Sequence, residues 1–127
     1  MKELTKAEEE IMQILWQIRR GFVKDILEQL PSPKPAYNTV STIVRILERK
    51  GIVGYKAYGK THEYYPLVSK EAYTGQLMRG VVKDYFSNSF HQMMSFFTDN
   101  KKLSLNELEE IRALMDGEIN RLKSKKQ

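Results

Sequence analysis

Cysteine is absent from the 127 residues, which excludes disulfides and thiolate metal sites and is the usage expected of a cytoplasmic protein. Long apolar runs are missing as well. A transmembrane helix needs about 20 consecutive apolar residues, and the densest cluster, Met93-Met94-Ser95-Phe96-Phe97, falls far short. The segment Met1-Lys2-Glu3-Leu4-Thr5 carries no apolar signal-peptide core. His62 and His91 stand alone, neither with a partner at metal-ligand spacing, so neither a metal nor another cofactor is expected. Nucleophile elbows, phosphate loops and HExxH stretches are also absent. The acidic clusters Glu8-Glu9-Glu10 and Glu107, Glu109, Glu110 fall in first turns of expected helices, where they favour the helix dipole. An enzyme is therefore not expected. What is present, 41% hydrophobic and 29% charged residues, suits a folded chain of one domain or two small modules.

The net charge of +5 is unevenly placed. Residues 1–30 hold five basic and six acidic side chains, and residues 63–127 hold ten and nine. Residues 31–62 hold six basic (Lys34, Arg45, Arg49, Lys50, Lys56, Lys60) against one acidic, Glu48. The excess thus sits in the middle quarter of the chain, either as a surface for a polyanion or as a solvated basic face.

Thr5-Lys6-Ala7-Glu8 has the form of a capping box. Ala7, Ile11, Ile14, Leu15 and Ile18 then repeat at helical spacing, with Met12 and Trp16 expected in packing and Gly21 as the stop. Phe22 to Leu30 reads as a second helix, and Pro31-Ser32-Pro33-Lys34-Pro35 as a stiff connector. The third helix, Tyr37 to Lys50, is the most informative segment. At about 100° per residue, Val40, Ile43, Val44 and Leu47 share one arc; Asn38, Ser41, Thr42, Arg45 and Arg49 share the opposite one. One stripe is apolar and docks on the first two helices. The other is rich in donors and free of acids.

Two aromatic and β-branched runs follow, Ile52 to Tyr58 and Thr61 to Leu67, around Gly59-Lys60, which is a hairpin signal. Three helices and a hairpin give a winged helix-turn-helix over residues 1–68. Tyr55, Tyr64 and Tyr65 are expected to pack on the third helix. Residues 69–127 read as a helical dimerisation module. Ser69 caps one long helix running through Met93–Phe97, Asp99-Asn100-Lys101-Lys102 breaks it, and the capping box Ser104-Leu105-Asn106-Glu107 starts a last helix ending at Lys123, Lys125 and Lys126. About sixty residues of helix enclose little core alone. A second copy of the chain is the economical cover for Leu77, Val81, Tyr85, Phe86, Phe90, Met93, Phe97, Leu108, Ile111 and Met115.

A helix of this kind fits the major groove of DNA. Asn38 pairs with adenine, Ser41 and Thr42 accept or donate, and Arg45 reaches guanine or phosphate. Lys34, Thr39 and Arg49, with Lys56, Lys60 and His62 of the hairpin, are expected on phosphates. Two other readings stand beside this one: an adaptor that binds protein through the winged helix, and a regulator holding a small ligand among Tyr85, Phe86 and Phe90.

Several segments resemble the BlaI/MecI/CopY family of bacterial repressors. They are Leu4-Thr5-Lys6-Ala7-Glu8 with Ile11-Met12 and Leu15-Trp16; Asn38-Thr39-Val40-Ser41-Thr42 with Arg45 to Gly51; Tyr64-Tyr65-Pro66-Leu67-Val68-Ser69; and Leu103-Ser104 with Glu107 to Ile111. The resemblance implies a dimeric winged-helix repressor on a pseudo-palindromic operator. It also implies, for the β-lactam branch, release when a membrane-bound sensor metalloprotease leads to cleavage in the dimerisation module. That cut falls at an Asn-Phe bond, and the matching pair here is Phe96-Phe97, which keeps the second aromatic but not the asparagine. The copper branch uses C-terminal cysteines, so its release route is excluded. Ser41 stands where some members carry a longer basic residue, which implies a different operator.

Overall fold

The computed structural model describes residues 3–125; Met1, Lys2, Gln127 and the expected helix-ending Lys126 lie outside them. Six helices and one hairpin follow in order: α1 Lys6–Ile18, α2 Val23–Gln29, α3 Tyr37–Arg49, β1 Val53–Tyr58, β2 Thr61–Pro66, α4 Lys70–Tyr85, α5 Phe90–Asp99 and α6 Leu105–Lys125. The chain divides into two compact units, Met1–Met78 and Arg79–Gln127. The first ends ten residues past the Val68 boundary read from the sequence, because the opening turns of α4 join its core.

The first unit is a winged helix-turn-helix. Thr5 and Glu8 form the expected capping box: the Glu8 N–H donates to Thr5 Oγ1 at 3.2 Å and the Thr5 N–H donates to Glu8 Oε1 at 2.8 Å. Ile11, Met12, Leu15, Val23, Ile26, Val40, Val44, Leu47, Ile52 and Val53 fill the core, with Ile43 and Trp16 partly buried against it. The apolar stripe of α3 thus docks as its spacing predicts. Trp16 Nε1 donates to the Val68 carbonyl at 2.8 Å, and its ring lies 5.8 Å from that of Tyr73. The Tyr73 hydroxyl donates to Glu9 Oε2 at 3.1 Å and accepts from the Leu4 N–H at 3.3 Å. These contacts tie the start of α4 to α1.

Gly21 has a different role from the stop expected of it. Helix α1 ends earlier, where Arg19 takes a positive φ of 75° and its N–H closes on the Leu15 carbonyl at 2.7 Å. Gly21 instead exchanges two backbone hydrogen bonds with Tyr64, at 2.9 and 2.8 Å, which fastens the hairpin to the helices. A Cβ there would stand 2.8 Å from Ile18 Cδ1 and 3.2 Å from Asp25 Cβ, so a larger residue would push the end of the Ile18 side chain aside. The strands pair antiparallel from Val53↔Pro66 to Tyr58↔Thr61, and the turn between them places Gly59 at a φ of 65°.

The second unit corrects the expectation of one long helix. Ser87 and Asn88 take φ of 52° and 63°, the Asn88 N–H turns back to the Val82 carbonyl, and Ser89 caps a new helix through the Gln92 N–H at 3.1 Å. Asparagine tolerates the left-handed region and serine caps, so Ser87-Asn88-Ser89 splits the segment into α4 and α5. The Ser104/Glu107 capping box is present, with bonds of 3.2 and 3.0 Å. Among the described residues no helix is long and apolar enough to cross a membrane.

Candidate nucleic-acid interface

Helix α3 buries Val40, Val44 and Leu47 completely and leaves Asn38, Thr42, Arg45 and Arg49 exposed, with Ser41 half-buried. A groove of about 440 Å³ runs beside it. Helix α2 contributes Phe22, Val23 and Lys24; α3 contributes Tyr37, Asn38, Ser41 and Arg45; the hairpin contributes Lys60, Thr61, His62 and Tyr64. The structure therefore brings three of the four expected base readers together with two of the expected phosphate binders. Every formal charge on this lining is positive.

Tyr64 anchors the hairpin side of the groove. It is 4% exposed, and its backbone is held by Gly21. Burial pushes its phenol pKa up, Glu48 pushes it the same way, Arg45 opposes, and Tyr37 and Tyr55 add smaller upward pushes. The phenol thus senses the flank of α3 that carries Tyr37, Arg45 and Glu48. His62 stacks on Tyr55 with ring centroids 4.1 Å apart and planes 9° from parallel. Packing on α3 was expected of three tyrosines. Tyr55 and Tyr65 instead stay 41% and 39% exposed, Tyr55 lying against His62 and Tyr65 across the bare Cα of Gly54.

The other expected contacts are dispersed. Thr42 is exposed outside the groove and its Oγ1 donates to the Asn38 carbonyl at 2.9 Å. Arg49 lies outside it too, near the C-terminal end of α3. Lys56 pairs in register with Glu63, on the hairpin face opposite His62 and Tyr64, and its Nζ sits 5.3 Å from the Tyr58 ring centroid. Thr39 faces a separate, mostly apolar groove with Pro31, Pro33, Pro35 and Ile43. Lys34 spends its ammonium on the end of α2, donating to the carbonyls of Leu27 at 3.0 Å, Glu28 at 2.8 Å and Leu30 at 3.0 Å. This geometry makes Lys34 a cap on the end of α2, where it adds to the single backbone bond from the Leu30 N–H to the Leu27 carbonyl at 3.2 Å. Lys50 also leaves the basic surface: its Nζ pairs with Glu8 Oε1 at 2.7 Å.

Lys24 and Tyr37 line the groove without having been singled out from the sequence. Tyr37 falls just outside the polar arc, one turn before Ser41, so the i, i+4, i+8 series Tyr37, Ser41, Arg45 was its signal. Lys24 belongs to a short helix whose charges carried no pattern of their own.

The expected dimer-forming residues divide between the units. Leu77 packs against the core of the first unit. Met93 is buried within the single chain, and Val81, Phe86 and Ile111 are half-buried. Tyr85, Phe90, Phe97, Leu108 and Met115 are exposed, as are Phe96, Leu105, Leu114, Ile119 and Leu122. Phe96 and Phe97 lie inside α5, with rings 5.6 Å apart, and Phe96 also meets Phe86 edge-on at 5.8 Å.

Known proteins similar to this chain match most of its length. The profile of the family described as "Penicillinase repressor" matches residues 4–117. The methicillin resistance regulatory protein MecI of Staphylococcus aureus (strain N315) is 25% identical over 115 residues, covering 90% of this chain and 94% of that protein. The penicillinase repressor of Bacillus licheniformis is 22% identical over 126 residues, covering 95% of each. Among solved structures, the DNA-binding domain of the repressor BlaI is similar with a TM-score of 0.49 and 23% identity, over 57% of this chain and 94% of that one.

Proposed function

This chain belongs to the penicillinase repressor family, whose members are transcriptional repressors and not enzymes, and from that premise we propose that it represses by binding a pseudo-palindromic operator as a homodimer. The observation that carries the reading is the groove: Asn38, Ser41 and Arg45 of α3 open onto it together with Lys24, Lys60 and His62, while the opposite face of the same helix is fully buried. In this reading α3 enters the major groove of DNA. Asn38, Ser41, Thr42 and Arg45 read base edges, and Arg49, Lys24, Lys60 and His62 grip flanking phosphates.

Dimerisation is supported by the second unit. Its helices leave Tyr85, 79% exposed, and nine other large apolar side chains open to solvent. Apolar surface on that scale marks a contact site, and a second copy of α5 and α6 is its cover. Two copies of α3 then meet successive major grooves, and one half-site alone holds too few contacts to occlude a promoter. Release follows cleavage in α5 at Phe96-Phe97 by a pathway that answers cell-wall antibiotics through a membrane sensor protease. Supporting this are the similarity to a methicillin resistance regulatory protein and a penicillinase repressor and the exposure of both rings near the end of a ten-residue helix.

Gel-shift titration on matched and scrambled duplexes tests the DNA reading. Asn38→Ala is expected to relax sequence preference, and Lys60→Ala to lower affinity for all sequences alike. Equal and uniform losses for both variants would defeat this division of roles. For release, antibiotic-treated cells are expected to contain a fragment ending at Phe96. Intact protein alone, while the target genes switch on, would rule cleavage out.

A further inference from the structure

Tyr37 is the first residue of α3 and the only aromatic on that helix. Its side chain is 52% exposed, yet it lines the same groove as Asn38, Ser41 and Arg45. The chain enters α3 through Ala36 in extended conformation (φ −68°, ψ 150°), so Tyr37 stands at the very start of the helix. Residues at the start of a recognition helix reach furthest towards base edges. Serine follows one turn later and arginine two turns later, so Tyr37, Ser41 and Arg45 form one stripe along the flank that faces the hairpin.

The chemistry of this stripe is uneven. Asn38, Ser41 and Arg45 offer hydrogen bonds and charge but almost no apolar surface. The major-groove edge of DNA carries one apolar mark, the 5-methyl group of thymine, which is read by apolar contact. Tyr37 supplies the one large apolar surface that α3 adds to the groove, with a polar tip that remains solvated. Its half-exposed ring loses water on meeting a methyl group, whereas phosphate oxygens offer it no such gain.

We propose that Tyr37 is a specificity-determining residue that reads a thymine methyl beside the base contacted by Asn38. The assignment rests on the reading of α3 as the DNA-contacting helix and adds to it an apolar readout. Losing contact with one methyl group corresponds to about a fourfold fall in affinity.

The test is site selection from a random duplex library by the full-length chain, by Tyr37→Phe and by Tyr37→Ala, followed by thymine-to-deoxyuridine scanning of the selected site. Wild type and Tyr37→Phe are expected to select the same thymine, and removing its methyl group weakens both about fourfold. Tyr37→Ala is expected to accept any base there, to ignore the missing methyl, and to keep wild-type binding to scrambled DNA. That last measurement, with a thermal melt, shows the variant to be folded. If Tyr37→Ala keeps the preference at every position, or if deoxyuridine weakens all three proteins alike, the assignment is overturned. A Tyr37→Ala loss uniform across all sequences overturns it as well, since that marks a phosphate contact. Should wild type select no sequence at all, the DNA-reading role of α3 fails, and the assignment goes with it.

Discussion

Glu8 gives the sharpest test of how the first unit is held together. Its carboxylate closes the capping box on the Thr5 N–H and pairs with Lys50 at 2.7 Å, which joins the start of α1 to the end of α3 across 42 residues of sequence. Losing the cap costs about 1 kcal/mol. Stranding the Lys50 ammonium costs about 2 kcal/mol more, the worth of a hydrogen bond to a charged group. The Lys50 side chain keeps 22% of its exposure, so the loss stays at or below the lower end of the range of about 3–5 kcal/mol for a fully buried pair. Glu8→Ala is therefore expected to lose about 3 kcal/mol in all, or roughly 12–24 °C in Tm for a unit of this size. Urea unfolding followed by Trp16 fluorescence measures it, because the single tryptophan lies in this unit. In a double-mutant cycle, Lys50→Met in the Glu8→Ala background is expected to cost far less than in wild type, with a coupling above about 1 kcal/mol. Burial alone would raise the Glu8 pKa, but the bonds from Lys50 and Thr5 outweigh it and leave the value lowered. A lowered folded pKa means stability present above the unfolded carboxylate value of about 4.3 and lost as pH falls through the folded one. The gap between wild type and Glu8→Ala is thus expected to hold above the unfolded carboxylate value and to narrow as pH falls below it. A loss under about 0.5 kcal/mol, or zero coupling, would show that Glu8 does not hold the two helices together.

Lys34→Ala is expected to destabilise the end of α2 by about 1 kcal/mol while leaving the salt dependence of DNA binding unchanged, as urea unfolding and anisotropy titrations will report. Lys60→Ala is expected to do the reverse, leaving stability intact and reducing the slope of log affinity against log salt by about 1. Ile119→Asp places a charge on the exposed apolar face of α6. Sedimentation is expected to find the wild-type chain as a dimer and the variant as a monomer with unchanged helical circular dichroism. Gly59→Val forces a β-branched residue to a positive φ of 65° in the hairpin turn and is expected to cost more than about 1 kcal/mol by thermal melt.

How much of this was legible in the sequence depends on the range of the interaction. Both capping boxes, the hairpin around Gly59-Lys60 and the two faces of α3 are set by residues within a few positions of one another, and the structure contains all of them. The break at Ser87-Asn88 was hidden because Tyr85, Phe86, Phe90 and Met93 keep a helical rhythm across it. Periodicity cannot register two residues that turn the chain to positive φ. Charge counting overstated the basic surface for a similar reason. Lys34 and Lys50 count as cations in the sequence, but one caps α2 and the other pairs with Glu8. Glu8 lies 42 residues from Lys50, and the carbonyls that hold Lys34 are backbone groups, which a count of side-chain charges does not register. Tyr37 and Lys24 escaped because the groove is assembled from three elements, and neither residue stands out on its own helix.

Whether α3 reads DNA is decided by the affinity of the full-length chain for its selected duplex and for a scrambled one, measured by anisotropy between about 50 and 200 mM salt. Both affinities are expected to fall steeply as salt rises, since several phosphates are neutralised, while the preference for the selected duplex persists and Asn38→Ala abolishes most of it. Binding that ignores salt, or that treats the two duplexes alike, would contradict that role of α3.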